Sequence, residues 1–382
     1  MRRLVATGIL AVALAAAWVA EARPVRVGRF VEIPYGISSS HPWRTGGGDP
    51  MRTARSSIVI PSQPPNPIWS TEVGTGRSHA PAIHEDGMIY VAGQRGLSAV
   101  GPDGTVRWTS RGLGSVSGTP SLTPDGYLAV GVPSELMVVG AARVRARSSL
   151  RGVLGSPLVL DDGSIVAVAS SPSMVVQRVD AEGHRMFSSI IRTRPRGEAA
   201  QSGALIAVPI GAELVWMNVQ GSVHRRVELG AEIALGPAVA SDGAAWVATT
   251  DGVVLAVAPS GRVVTRAALE VEPTFVSNLA VAADGSVRVP TVDAGLVCIG
   301  PNGTERWRVE ALAPVTGGIT VDPEGTTLLV RRGPDRLSAV GSDGQIRWNV
   351  EIGNSGGDAA PVLGADGTIY VATFGGELQA WR

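Results

Sequence analysis

The chain has 382 residues, 44% hydrophobic and 17% charged, enough apolar material for a large core and too much for a disordered chain. Its 33 basic residues, all arginine, balance 33 acidic ones, so no global field favours nucleic acid or an anionic membrane surface. With 4 Phe, 9 Trp and 4 Tyr, the core relies on Val, Ala, Leu and Ile, while 49 Gly and 26 Pro spread along the chain suit many short strands joined by tight turns.

The first element is a targeting signal. Arg2 and Arg3 precede an unbroken apolar run, Leu4 to Ala20, and Ala20-Glu21-Ala22 places small residues three and one before a cut. This layout predicts a secretory signal peptide over 1–22 and an exported protein of the periplasm or cell surface. An uncleaved inner-membrane anchor is the alternative, since the run is marginal for a span. No cysteine follows it, so a lipid anchor on cysteine is not expected. Residues 23–63, rich in Gly, Pro, Ser and Arg, read as a flexible leader that becomes fixed near Ile68.

From residue 64 onward the chain repeats. A turn pair, usually Asp-Gly, recurs with its glycine at 87, 126, 163, 203, 243, 285, 325 and 367, spaced 37 to 42 residues apart. Each pair precedes a short apolar strand, as in Thr368-Ile-Tyr-Val-Ala-Thr373. Asp-Gly between apolar runs predicts a hairpin, expected here as a type I′ turn with positive φ at both central residues. A second turn follows at Gly104, Gly183, Gly221, Gly261, Gly303 and Gly344. Two hairpins per unit make four strands, and four-stranded units of this length are propeller blades.

The ends predict how the ring closes. Trp108, Trp307 and Trp348 each stand four residues after a second turn glycine and 18 or 19 before the next blade's first one. Trp69 precedes Gly87 by 18, which places it on the fourth strand of a blade whose other strands are elsewhere. The chain's last unit stops at Trp381-Arg382 after its third strand. The expected fold is all-β: a single eight-bladed β-propeller over 64–382, with four-stranded antiparallel blades, closed by an N-terminal strand that removes two sheet edges.

Three copies are best formed: Ala99-Val-Gly-Pro-Asp-Gly-Thr-Val-Arg-Trp108, Cys298-Ile-Gly-Pro-Asn-Gly-Thr-Glu-Arg-Trp307 and Ala339-Val-Gly-Ser-Asp-Gly-Gln-Ile-Arg-Trp348. They resemble the repeats of PQQ-like (quinoprotein-like) propellers, and Trp43-Arg-Thr-Gly-Gly-Gly-Asp-Pro-Met-Arg-Thr53 resembles the short lead-in of bacterial members. The resemblance implies that Trp69, Trp108, Trp307 and Trp348 dock each blade on its neighbour. Phe187, Arg225 and Thr265 stand at that position in drifted blades. A more distant resemblance links the chain to the propeller lipoproteins of the outer-membrane β-barrel assembly machinery.

Quinone dehydrogenases of this fold resemble one another in adjacent cysteines, a catalytic Asp and calcium ligands. This chain has one cysteine, Cys298, in the apolar stretch Gly295-Leu-Val-Cys-Ile-Gly300, where an inert buried thiol is expected. His41, His79, His84, His184 and His224 show no metal spacing beyond a loose His79-x4-His84. No nucleophile elbow or phosphate loop occurs, and Asn302-Gly-Thr304 reads as a turn before a glycosylation site. No catalytic, cofactor or metal residue is assigned.

Function is expected in the blade-to-blade connections, which share one face of the ring opposite the glycine turns. Arg192, Arg194, Arg196 and Phe275 are the candidate contacts on those loops. The leading expectation is a monomeric, non-catalytic scaffold of the cell envelope that binds a protein or polymer partner through the loop face. A carbohydrate-binding propeller is one alternative, for which Phe275, Phe374 and Trp216 would cluster on that face. A PQQ- or metal-dependent oxidoreductase is the other, which calls for a funnel lined by several acidic groups.

Overall fold

A computed structural model describes residues 41–382, apart from 142, 172–173, 192, 194–196, 270–277, 332, 334, 354–355 and 358. Eight four-stranded antiparallel sheets stand in a ring. Blades one to seven span 82–110, 121–148, 151–190, 200–228, 233–268, 280–309 and 319–351. The eighth combines three strands from 362–381 with the strand Pro67–Glu72. Pro67 pairs with Trp381, Trp69 with Ala380 and Glu72 with Glu377, so the ring closes by the predicted exchange of an outermost strand. Asn66 and Arg382 extend the seam by exchanging both backbone hydrogen bonds.

The turn chemistry differs from expectation in one respect. All eight first-turn glycines and all six second-turn glycines have positive φ, from 56° to 89°, but the residue before each does not. The usual form is a type I turn followed by a left-handed glycine: His84 N–H bonds Met88 O, and Gly87 N–H bonds His84 O. The Asp contributes through its carboxylate, not its backbone angle. Asp86 accepts from Met88 N–H at 2.9 Å, and Asp103, Asp162, Asp284 and Asp366 do the same two residues on.

Middle strands of each blade are buried on both faces and are packed with Val, Ala, Leu and Ile, as the composition requires. Between blades, an indole covers the next blade's second turn glycine. A Cβ on Gly104 would lie 2.7 Å from the Trp69 ring, and one on Gly344 2.8 Å from Trp307. Each indole N–H then bonds the carbonyl two residues before that glycine: Trp69 to Pro102 at 3.1 Å, Trp307 to Ser342 at 2.8 Å. Trp348 bonds Pro61 of the leader instead, because no turn joins the third and fourth strands of blade eight. Drifted blades keep parts of this contact. Thr265 Oγ1 donates to Pro301 at 2.7 Å; Phe187 covers Gly221 while Arg178 donates to Val219 O at 2.5 Å. Trp108 packs beside Tyr90, with its indole nitrogen buried without a hydrogen-bond partner.

Residues 41–63 depart from the expected flexible leader. Residues 41–56 pack into the turn-face mouth of the ring, with Trp43 and Ala54 fully buried, and the following residues leave it with Ile60 buried between blades seven and eight. A Gly- and Pro-rich composition suggested freedom, whereas here the glycines let the chain turn tightly against the Trp43 ring. Residues 23–40 of that expectation, and the signal peptide, lie outside the described residues.

Candidate functional site

The ring encloses a cavity of about 630 Å³, within the usual range for ligand pockets, bordered by the connections that lead into the innermost strands. One position from each blade faces it. Thr119, Ser156, Glu198 and Asn278 are polar; Ala80, Gly236, Gly318 and Ala360 are small. In seven blades this residue stands seven before the first turn glycine, and in blade four five before it, because the hairpin Ser202–Leu205 is shorter. That periodic offset was available in the sequence and marks the site better than residue type does. Blades two, three and four form a continuous polar arc, while blades seven, eight and one form an apolar one.

Leader residues Gly46, Gly47 and Arg52 supply the floor. Arg52 is 5% exposed and spends its donors on Ala199 O, Ser156 O, Gly46 O and Thr45 Oγ1. Its Nη1 also meets Glu198 Oε2 at 2.9 Å. The other Glu198 oxygen accepts from Ser156 N–H at 2.6 Å and Ser156 Oγ at 2.8 Å. Asn278 is likewise engaged, bridging to the backbone of Ile319. The polar arc therefore joins blades and leader together. His79 on the wall donates from Nε2 to Val116 O at 3.0 Å, and burial lowers its pKa.

Above the wall, the connection 73–77 carries a basic patch. Arg77, Arg95 and Arg111 are all exposed, and Arg77 stacks on Phe374 at 4.7 Å. Arg95 and Arg111 lie over Gly76 and Gly74, so the three guanidinium groups belong to one stretch of rim. Sequence reasoning missed this patch because its members come from two strand ends and a turn, and sequence distance hides their proximity.

The sequence candidates divide. Arg192, Arg194, Arg196 and Phe275 lie outside the described residues. Trp216, a candidate for sugar stacking, is fully buried between blades four and five, on a strand whose four central residues are all buried. Phe374 does reach the loop face, at 37% exposure, beneath Arg77. His184 is exposed and pairs with Asp180. His84 is buried against Asp86 and stacks 4.8 Å from His41, a pairing of leader and blade one that spacing did not reveal. Burial, together with His84 and Arg44, lowers the His41 pKa to about 4.

Cys298 is buried between blades six and seven, where its Sγ accepts from Arg288 at 2.9 Å; burial raises the thiol pKa. A quinone with calcium does not fit the described lining residues. Among the described lining residues the carboxylate is Glu198, already committed to Arg52 and Ser156. Among the described residues no cluster of three His, Cys, Asp or Glu side chains could hold a metal ion.

Comparison with known proteins agrees with this architecture. Residues 292–381 match the family model described as outer membrane protein assembly factor BamB. No curated protein matches the sequence. The solved structure of BamB from Moraxella catarrhalis is similar at 15% identity, over 83% of this chain and 99% of that one, with a TM-score of 0.67. A europium-containing methanol dehydrogenase is similar at 12% identity, over 88% and 90%, with a TM-score of 0.65. Virginiamycin B lyase from Staphylococcus aureus follows at 12% identity, over 82% and 98%, with a TM-score of 0.54. The protein is thus an eight-bladed β-propeller that resembles the PQQ-like propellers and, distantly, BamB.

Proposed function

We propose that this protein is an exported, non-catalytic scaffold of the cell envelope that holds a protein partner on its connection-loop face. The observation that carries the reading is the division of labour among polar groups. Inside the cavity Arg52, Glu198, Ser156 and Asn278 are bonded to one another or to backbone, while Arg77, Arg95 and Arg111 form an exposed basic surface with Phe374 on the rim. A catalytic funnel needs uncommitted acids and bases; a docking face needs exposed arginine and aromatic groups on a rigid frame. The resemblance to BamB, an outer membrane protein assembly factor by its family description, supports a protein over a polysaccharide as the partner. The patch is basic, so the complementary surface is acidic. Among the described residues no helix is long and apolar enough to cross a membrane, and export rests on the sequence of residues 1–22.

The test is crosslinking and affinity capture from envelope extracts with the wild type and with Arg77→Glu/Arg95→Glu/Arg111→Glu. A partner captured by the wild type and lost by the variant, at unchanged thermal stability, supports the reading. Equal capture by both removes the patch from the interface. Quinone-dependent turnover by the purified protein would overturn the non-catalytic assignment.

A further inference from the structure

We infer that the turn-face mouth of the ring is a peptide-binding site and that residues 43–56 are its resident ligand. Six blades contribute one backbone N–H each to this mouth, always three residues beyond the ring position facing the cavity. Ile83 donates to Trp43 O at 2.6 Å, Leu122 to Arg44 O at 3.0 Å and Gln201 to Pro50 O at 2.8 Å. Val239 and Val281 donate to Met51 O and Thr53 O at 2.8 Å, and Val321 to Ala54 O at 2.9 Å. Contacts made through carbonyl groups hold a main chain largely independently of its side chains. Two side chains anchor it: Trp43, fully buried between blades, and Arg52, which reaches backbone oxygens of blade three and the segment entering blade four.

Two features mark the segment as a ligand and not as part of the frame. It supplies no strand to any of the eight sheets, touching them through the isolated bridges Trp43 to Ile83 and Arg55 to Val321. Removing it leaves every blade with four strands. Its backbone is folded by its own turns, Arg52 N–H to Asp49 O at 3.0 Å and Ala54 N–H to Gly47 O at 2.8 Å, to fit the site. Arg52 and Ala54 hold φ values of 59° and 52°, a left-handed conformation that non-glycine residues seldom adopt unless their surroundings impose it. The segment joins the first strand through exposed residues Ser62, Gln63 and Pro64, where the chain is open to cutting. Because Gly46, Gly47 and Arg52 form the floor of the cavity, the peptide in the mouth also sets the depth of the opposite face.

The experiment places a protease site at residues 62–64 of the full-length protein and cuts it in the folded state. A labelled synthetic peptide of residues 41–60 is then offered to the cut protein. The expected result is saturable exchange of the label for the cut leader, with the β-sheet circular dichroism of the ring unchanged. A peptide carrying Trp43→Ala competes about a hundredfold more weakly, the loss expected from truncating a buried tryptophan. Unfolding of the ring on departure of the leader overturns the inference. So does a leader that leaves without being replaced, or one that exchanges only when the ring itself unfolds.

Discussion

Arg52 of the leader and Glu198 of blade four meet at 2.9 Å at the base of the cavity, although 146 positions separate them in the sequence. Removing one member of a buried pair leaves the other desolvated and uncompensated. Glu198 is 31% exposed, so solvent screens part of that penalty. Arg52→Ala is expected to destabilise the protein by about 3 kcal/mol in urea unfolding, at the low end for such pairs. Glu198→Gln keeps an acceptor for Ser156 but leaves the buried Arg52 guanidinium without its counter-charge, an expected cost of about 3 kcal/mol as well.

The blade-docking indoles separate packing from hydrogen bonding. Trp69→Phe retains most of the ring over Gly104 but loses the bond to Pro102, an expected cost of about 1 kcal/mol. Trp69→Ala loses both and costs about 3 kcal/mol. Trp108→Phe deletes a buried indole N–H that has no partner, and is expected to be neutral or slightly stabilising. Equal losses for Trp69→Phe and Trp108→Phe would contradict the assigned hydrogen bond.

Two glycines with the same backbone angle give an internal control. Gly104 and Gly367 have φ of 80° and 83°, but a Cβ on Gly104 meets the Trp69 ring while one on Gly367 meets nothing within 4 Å. Gly367→Ala should cost about 1 kcal/mol, the price of a left-handed alanine. Gly104→Ala adds the displacement of the indole, about 1–3 kcal/mol more. Thermal unfolding of the two variants measures the difference.

How the fold was encoded explains why the site was harder to read. Propeller blades advertise themselves locally: a glycine that needs positive φ, an Asp whose carboxylate bonds two residues on, and an apolar strand after them. Trp69 even disclosed the seam, because its distance to Gly87 matched the other blades. The course of the leader was less legible, since beyond its local turns Trp43, Arg52 and Ala54 are held by partners on the blades that are far away in sequence. The rim patch of Arg77, Arg95 and Arg111 is legible only once strand ends have been brought together.

Acidification should loosen the same leader. With the folded His41 pKa lowered from 6.5 to about 4, the unfolded chain takes up a proton between those values that the folded chain refuses. Stability therefore falls as pH drops from about 6.5 to about 4, and this contribution is complete below that range. His41→Asn preserves an acceptor for Glu85 N–H and removes the titration. Its denaturant midpoint should vary less across that window than that of the wild type.

Cys298 offers a probe of the interface between blades six and seven. Buried and with its pKa raised, it should resist thiol reagents at pH 8 in the native protein and react on unfolding. Prompt native-state labelling would mean that this interface opens far below global unfolding.

Pairing Pro67–Glu72 with Glu377–Trp381 also dictates the order of events when the chain is made. The early strand must wait, unpaired, while seven blades are synthesised and stacked, and its contacts then span almost the whole sequence. Such a long-range final step is slow, and until it occurs two open sheet edges face the surroundings. Newly made molecules are thus most vulnerable to misassociation in the interval just before closure, which is where a folding helper would have the most to protect.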